Sequence, residues 1–217
     1  GAVFPVFAEE YTPIIDGDEV INEWKFDFGA EGSTPEEGYT LVTPDKNVIV
    51  DGDYGFIGND GYGHKVTEKY DSFRYQEGQT MSLAAGGGET DGIGIVPDES
   101  ATYPEYTTGD YYPVSFGLYV DNGSYYRVRA TVTTLDPEQD ATASLSYERR
   151  HPVYKEVTIP AGESYTVDFS VDVEMVNFKD DGGNFNDDML NISLLGENSA
   201  LASLDIQQID ESTGTAT

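Results

Sequence analysis

The chain has 217 residues, with 41 Asp and Glu against 11 Lys and Arg, a formal net charge of -30. A polyanion of this size is excluded as a general nucleic-acid binder, because neutralising phosphates takes Lys and Arg. An anionic membrane surface repels it too. High charge also marks disordered chains, but 16 Tyr, 10 Phe and 1 Trp are enough to fill a core.

Residues 1–23 are read as a signal remnant and acidic lead-in. Gly1 to Ala8 is apolar and uncharged and ends in Val6-Phe7-Ala8, the pattern that closes a secretory signal. An edge strand is the alternative reading. Trp24, Phe26 and Phe28 then alternate with Lys25 and Asp27, which predicts a strand that ends at Gly29. Tyr39 to Val42 and Val48 to Val50 are short strands. From Tyr54 to Tyr112 the chain is rich in Gly, Asp and Tyr and poor in alternation, so 57–112 reads as a long loop insertion of the kind that carries binding.

Beyond it the pattern is regular. Val114 to Val120 and Tyr125 to Leu135 flank Asn122-Gly123, which predicts a hairpin. Tyr126, Val128, Ala130 and Val132 take one face. Arg127, Arg129, Thr131 and Thr133 take the other. Ala143, Leu145 and Tyr147 mark the next strand. Val153 to Ile159 and Tyr165 to Val173 read as another pair across Pro160-Ala161-Gly162-Glu163. Leu190 to Leu195 and Leu201 to Ile209 close the set, and 210–217 is a Ser/Thr/Gly linker. Nine or ten strands without a helical period predict an all-β chain, an antiparallel β-sandwich or jelly roll over residues 24–209.

Catalytic signals are sparse. There is no cysteine, and the histidines are His64 and His151 alone. No Gly-x-Ser-x-Gly elbow, zinc helix or phosphate loop is present. With 41 acids, some carboxylate pair is inevitable and carries no information about glycoside hydrolysis. The chain is expected to be non-catalytic.

Calcium is the metal that the composition suits, since it takes six to eight hard oxygens. Three groups offer them. Asp51, Asp53, Asn59 and Asp60 form one. Asp180, Asp181, Asp187 and Asp188, with Asn184 and Asn186, form the second. Asp27 on the first core strand and Asp205 on the last form the third.

Lys25-Phe26-Asp27-Phe28-Gly29, Gly38-Tyr39-Thr40-Leu41-Val42 and Asp53-Tyr54-Gly55-Phe56 follow one another near the start. This succession resembles the N-terminal sandwich module of bacterial rhamnogalacturonan acetylesterases. Asp121 to Val128, Glu148-Arg149-Arg150, Ile159 to Gly162 and Leu201 to Ile206 are similar to its later strands. Asp53 departs from that pattern, which usually has Gly there, and 57–112 has no counterpart in it. The esterase domain is absent, so its activity is not implied. The resemblance implies a galactose-binding-like jelly roll, akin to family-35-like carbohydrate-binding modules, attached to a catalytic domain of a secreted plant cell-wall-degrading enzyme. It also implies a structural calcium, which suits Asp27 and Asp205 on paired terminal strands.

Sugars stack their CH faces on aromatic rings and hydrogen-bond to amides and carboxylates. Tyr62, Tyr103, Tyr106, Tyr111 and Tyr112 are the candidates. Arg127, Arg129, Arg149, Arg150 and Lys155 read as ion-paired with local acids such as Glu148 and Glu156 rather than as a patch for an acidic sugar. The expected function is binding of a neutral plant cell-wall polysaccharide, such as pectic galactan or hemicellulose, by a secreted monomer. The rivals are a spacer module docked on its neighbouring domain, and an esterase or glycoside hydrolase.

Overall fold

A computed structural model describes residues 19–46, 53–58, 84–88, 90–94, 114–120, 124–148, 151–173 and 189–210. Every regular element among them is a strand: β1 (Glu19–Phe28), β2 (Thr40–Val42), β3 (Tyr54–Gly58), β4 (Ala84–Gly87), β5 (Asp91–Gly94), β6 (Val114–Tyr119), β7 (Ser124–Thr134), β8 (Ala141–Tyr147), β9 (His151–Ile159), β10 (Ser164–Val173), β11 (Met189–Glu197) and β12 (Ser199–Asp210). They form two sheets. The first has the order β10-β7-β12-β1-β2, with β5 also on β12 and β4 on β5. The second has the order β3-β6-β11-β8-β9. The chain is an all-β sandwich of jelly-roll kind, in which the backbone crosses repeatedly between the sheets while β1–β2, β4–β5 and β8–β9 each stay within one. All described pairings are antiparallel except β1 with β2, which is parallel.

Alternation decides which side of each strand is inside. Tyr126, Val128, Ala130 and Val132 on β7 are fully buried, as are Leu204 and Ile206 on β12. Phe116 on β6 sits at the centre, edge-on to Phe26 at 5.1 Å and to Phe28 at 5.1 Å, with Phe56 at 5.9 Å. Such aromatic pairs each add about 0.5–1.5 kcal/mol beyond the area that they bury. Trp24 is half-buried and lies against Tyr126 at 6.1 Å.

Two expected pairings are corrected. β6 and β7 do not form a hairpin: β6 pairs β3 and β11, whereas β7 pairs β10 and β12. β9 and β10 likewise lie in different sheets. In both cases the two strands bury side chains into the core from opposite sheets, Phe116 and Leu118 of β6 facing the inner side of β7's sheet, and Val157 and Ile159 at the end of β9 entering from one sheet and Val171 and Val173 of β10 from the other. The segment 57–112 also carries the strands β4 and β5, which its glycine-rich composition concealed.

Candidate functional site

Along β12 the neighbour changes. Ser203 pairs Asp27 of β1, and after a bulge Leu201 pairs Ile93 of β5. β5 therefore takes over beside β12 where β1 ends, and Asp91 at its start comes against Gly29. A Cβ on Gly29 would stand 2.5 Å from Asp91 Oδ2 and 2.8 Å from Ser33 Oγ, so glycine is what admits the carboxylate.

Asp27 and Asp205 occupy the same outer face as diagonal neighbours, since Lys25 pairs Asp205 and Asp27 pairs Ser203. Asp27 Oδ2 accepts the Glu36 backbone N–H at 2.8 Å. Asp205 accepts the Tyr39 hydroxyl, and its Oδ1 is buried without a hydrogen-bond partner. Burial pushes the Asp205 carboxyl up, opposed by the Tyr39 hydroxyl, Lys25 and Arg129. Burial likewise raises Tyr39, and Asp205 adds to that. Asp91 is raised by burial first and by Asp27 second. The sequence pairing of Asp27 with Asp205 thus lands on one surface, but two carboxylates facing Lys25 and Arg129 are short of the oxygens that calcium takes. Among the described residues no group of three or more His, Cys, Asp or Glu is arranged to hold a metal ion.

The outer face of the first sheet is built in rows. One row runs Asp168, Arg129, Asp205, Lys25 across four strands, alternating in sign. Arg129 grips Asp168 with Nε on Oδ1 at 2.7 Å and NH2 on Oδ2 at 2.8 Å. Lys25 lies 5.5 Å from the Tyr39 ring centroid. The next row runs Ser170, Arg127, Gln207, Glu23, and another joins Thr166 to Thr131 through their hydroxyls at 2.9 Å. Ion pairing is therefore the right account of Arg129, but its partner is Asp168 rather than Glu148 or Glu156. Glu148 instead accepts the Asn191 backbone N–H, and the Glu156 backbone N–H donates to Ser144 Oγ at 2.9 Å. Both glutamates have left-handed backbones, φ 46° and 52°, which takes them out of the strand register.

At the rim between β9 and β10, Tyr147 is stacked between His151 at 5.1 Å and Phe169 at 5.5 Å. Tyr154 meets Tyr165 edge-on at 5.1 Å, and burial raises the Tyr154 phenol. Periodicity assigns Tyr147, Tyr154, Tyr165 and Phe169 to strands but is silent on their stacking, because Tyr147–Phe169 and Tyr154–Tyr165 join different sheets, while His151 pairs Tyr147 within one sheet.

Tyr62, Tyr103, Tyr106, Tyr111 and Tyr112 lie outside the described residues, as do Asp51, Asn59 and Asp60, and Asp180, Asp181, Asp187 and Asp188. Described strand ends flank the tyrosine-bearing segment in the sequence. β3 ends at Gly58 and β6 begins at Val114, and these two are register partners. Tyr62 stands four positions after one and Tyr112 two before the other.

No family model matches the chain, and no curated protein is significantly similar to it. Among solved structures, the Bacillus subtilis protein YXIM is 20% identical, with a TM-score of 0.44 over 88% of this chain. The chain spans 41% of that protein's length. A family-22 xylan-binding domain of Paenibacillus barcinonensis Xyn10C is 9% identical, with a TM-score of 0.38 over 89% of this chain and 97% of that domain. An exo-β-1,3-galactanase of Phanerochaete chrysosporium is 10% identical, with a TM-score of 0.30 over 62% of this chain and 28% of that one.

Proposed function

We propose that the chain is a non-catalytic carbohydrate-binding module of a secreted, multi-modular enzyme acting on plant cell walls. Its ligand is a neutral polysaccharide, of the pectic galactan or hemicellulose kind, and its resemblance to the sandwich module of rhamnogalacturonan acetylesterases belongs to this reading. The observation that carries it is the pairing of Gly58 with Val114. The tyrosine-rich segment leaves the second sheet and re-enters it at one point, so Tyr62, Tyr111 and Tyr112 are all tethered within a few residues of the same sheet end. Each residue reaches at most ~3.6 Å. Aromatic side chains stack against the CH faces of pyranose rings, which is the role that this reading gives these tyrosines.

The charge of -30 selects the ligand class, because polygalacturonate would be repelled. Calcium enters as a structural ion. Two separate groups are its candidate donors, Asp27 with Asp205, whose Oδ1 is buried without a hydrogen-bond partner, and Asp180, Asp181, Asp187 and Asp188. Binding to insoluble and soluble plant polysaccharides, with calcium and with EDTA, tests it. Tyr111→Ala with Tyr112→Ala is expected to weaken retention strongly.

A further inference from the structure

Gln207 and Arg127 face each other across β12 and β7 on the outer face of the first sheet. Both are buried, at 8% and 1% exposure. Gln207 Nε2 donates to Glu23 Oε2 at 2.8 Å, while its Oε1 is buried with no hydrogen-bond partner. An unpaired buried amide oxygen is unfavourable, and one in a folded protein calls for an explanation. Arg127 NH1 donates to Ser170 Oγ at 3.0 Å, and its guanidinium lies 5.5 Å from the Tyr125 ring centroid. Around this buried floor the flanks are open: Glu23 is exposed, and Ser170 and Tyr125 are half-buried.

The row therefore sets an acceptor, a carboxylate, a hydroxyl, a guanidinium and an aromatic ring within four strands. Glu23 and Arg127 are of opposite sign, so neither an anion nor a cation is favoured. A neutral polyhydroxyl compound matches the set. One hydroxyl donates to Gln207 Oε1, others bond with Glu23 and Ser170, and a CH face lies on Tyr125. Glu23 is exposed, so its side chain swings off Nε2 on a nanosecond scale, which opens the covered Gln207 amide while keeping the carboxylate within reach of a ligand hydroxyl. A ligand oxygen then takes over the Nε2 bond.

We propose that the row Glu23, Gln207, Arg127 and Ser170, bounded by Tyr125, is a saccharide-binding site on the sheet face, taking a neutral pyranose unit. It rests on the carbohydrate-binding reading. The test uses the full chain in native gels containing galactan, arabinogalactan, xyloglucan or xylan, comparing wild type with Gln207→Leu, Tyr125→Ala and the Tyr111→Ala, Tyr112→Ala double variant. Gln207→Leu and Tyr125→Ala should each weaken retention about ten-fold, the loss of one well-placed contact. The Gln207 side-chain amide resonances should move when galactose or xylose is added to wild type. If wild type is retained while folded Gln207→Leu and Tyr125→Ala are retained equally, the sheet-face site is overturned and the carbohydrate-binding reading stands. Amide resonances of Gln207 that stay still at saturating sugar overturn it as well, whether or not the variants fold. A wild type that no polysaccharide retains overturns both.

Discussion

Arg129 and Asp168 are joined by two parallel hydrogen bonds, Nε to Oδ1 at 2.7 Å and NH2 to Oδ2 at 2.8 Å, between directly opposed positions of β7 and β10. The fork geometry makes this pair stronger than an ordinary surface contact. Its Arg side chain is 11% exposed and its Asp side chain 35%. Exposed pairs contribute ~0.2–1 kcal/mol, and hydrogen bonds to charged groups ~1.5–3 kcal/mol. A double-mutant cycle with Arg129→Ala and Asp168→Ala should return a coupling of about 1 kcal/mol by urea denaturation, between those limits. Arg129→Lys should recover less than half of it, because an ammonium cannot make both bonds. A coupling of zero would show the pair to be incidental to the fold.

Asp91 reports on acidity. Its carboxyl is raised above the ordinary 3.8 by burial and by Asp27. The folded state therefore holds this proton more tightly than the unfolded state. Stability from the group is full below the unfolded value and is lost as pH rises through the raised one. Asp205 is shifted in the same direction. Acidification from neutrality towards pH ~5 is thus expected to raise the melting temperature, helped by relief of the excess negative charge. Asp91→Asn should melt above wild type at pH 7, and the gap should narrow as pH falls to about 4. A gap that widens on acidification has the wrong sign for this account.

Asn198 sits at a left-handed position, φ 55°, in the turn from β11 to β12. Its Nδ2 donates to the carbonyls of Asp136, Gln139 and Asp140, and its Oδ1 accepts the Asp136 N–H at 2.8 Å. One side chain thus ties the β7–β8 connection to the neighbouring β11–β12 turn at the same end of the fold. Asn tolerates the left-handed conformation better than other non-glycine residues. Replacement by Ala should cost about 2 kcal/mol from lost hydrogen bonds and backbone strain. Asn198→Asp should cost more, since a carboxylate would then face three carbonyl oxygens. Equal melting of the two variants would remove the donor role of Nδ2.

Much of this architecture is legible in the sequence, for a physical reason. Period-two alternation reports which face of a strand is buried, and Tyr126, Val128, Ala130 and Val132 are all inside. Alternation is silent about partners, so it suggests hairpins for β6–β7 and β9–β10 although each pair spans the two sheets. The short strands Ala84–Gly87 and Asp91–Gly94 give no sequence signal because glycine carries no side-chain pattern. Of the site, Asp27 and Asp205 were legible as neighbours because first and last strands often pair. Tyr39, Asp91, Arg127 and Gln207 were not, since each gains its meaning from a register or a loop contact. Asp168 was missed for the same reason: its partner is 39 residues away.

The calcium reading has its own test. An ion bound only by the folded chain raises the melting temperature by mass action. Melts in millimolar calcium should lie several degrees above melts in EDTA, and Asp187→Asn with Asp188→Asn should shrink the difference. Identical melts in the two buffers would remove calcium from the account.

Affinity electrophoresis of the wild-type chain tests the central claim most directly. Migration through native gels with and without galactan, arabinogalactan, xyloglucan, xylan and polygalacturonate, all with calcium, separates the possibilities. The account predicts retardation by at least one neutral polysaccharide and none by polygalacturonate. Unchanged mobility in every neutral gel would contradict it.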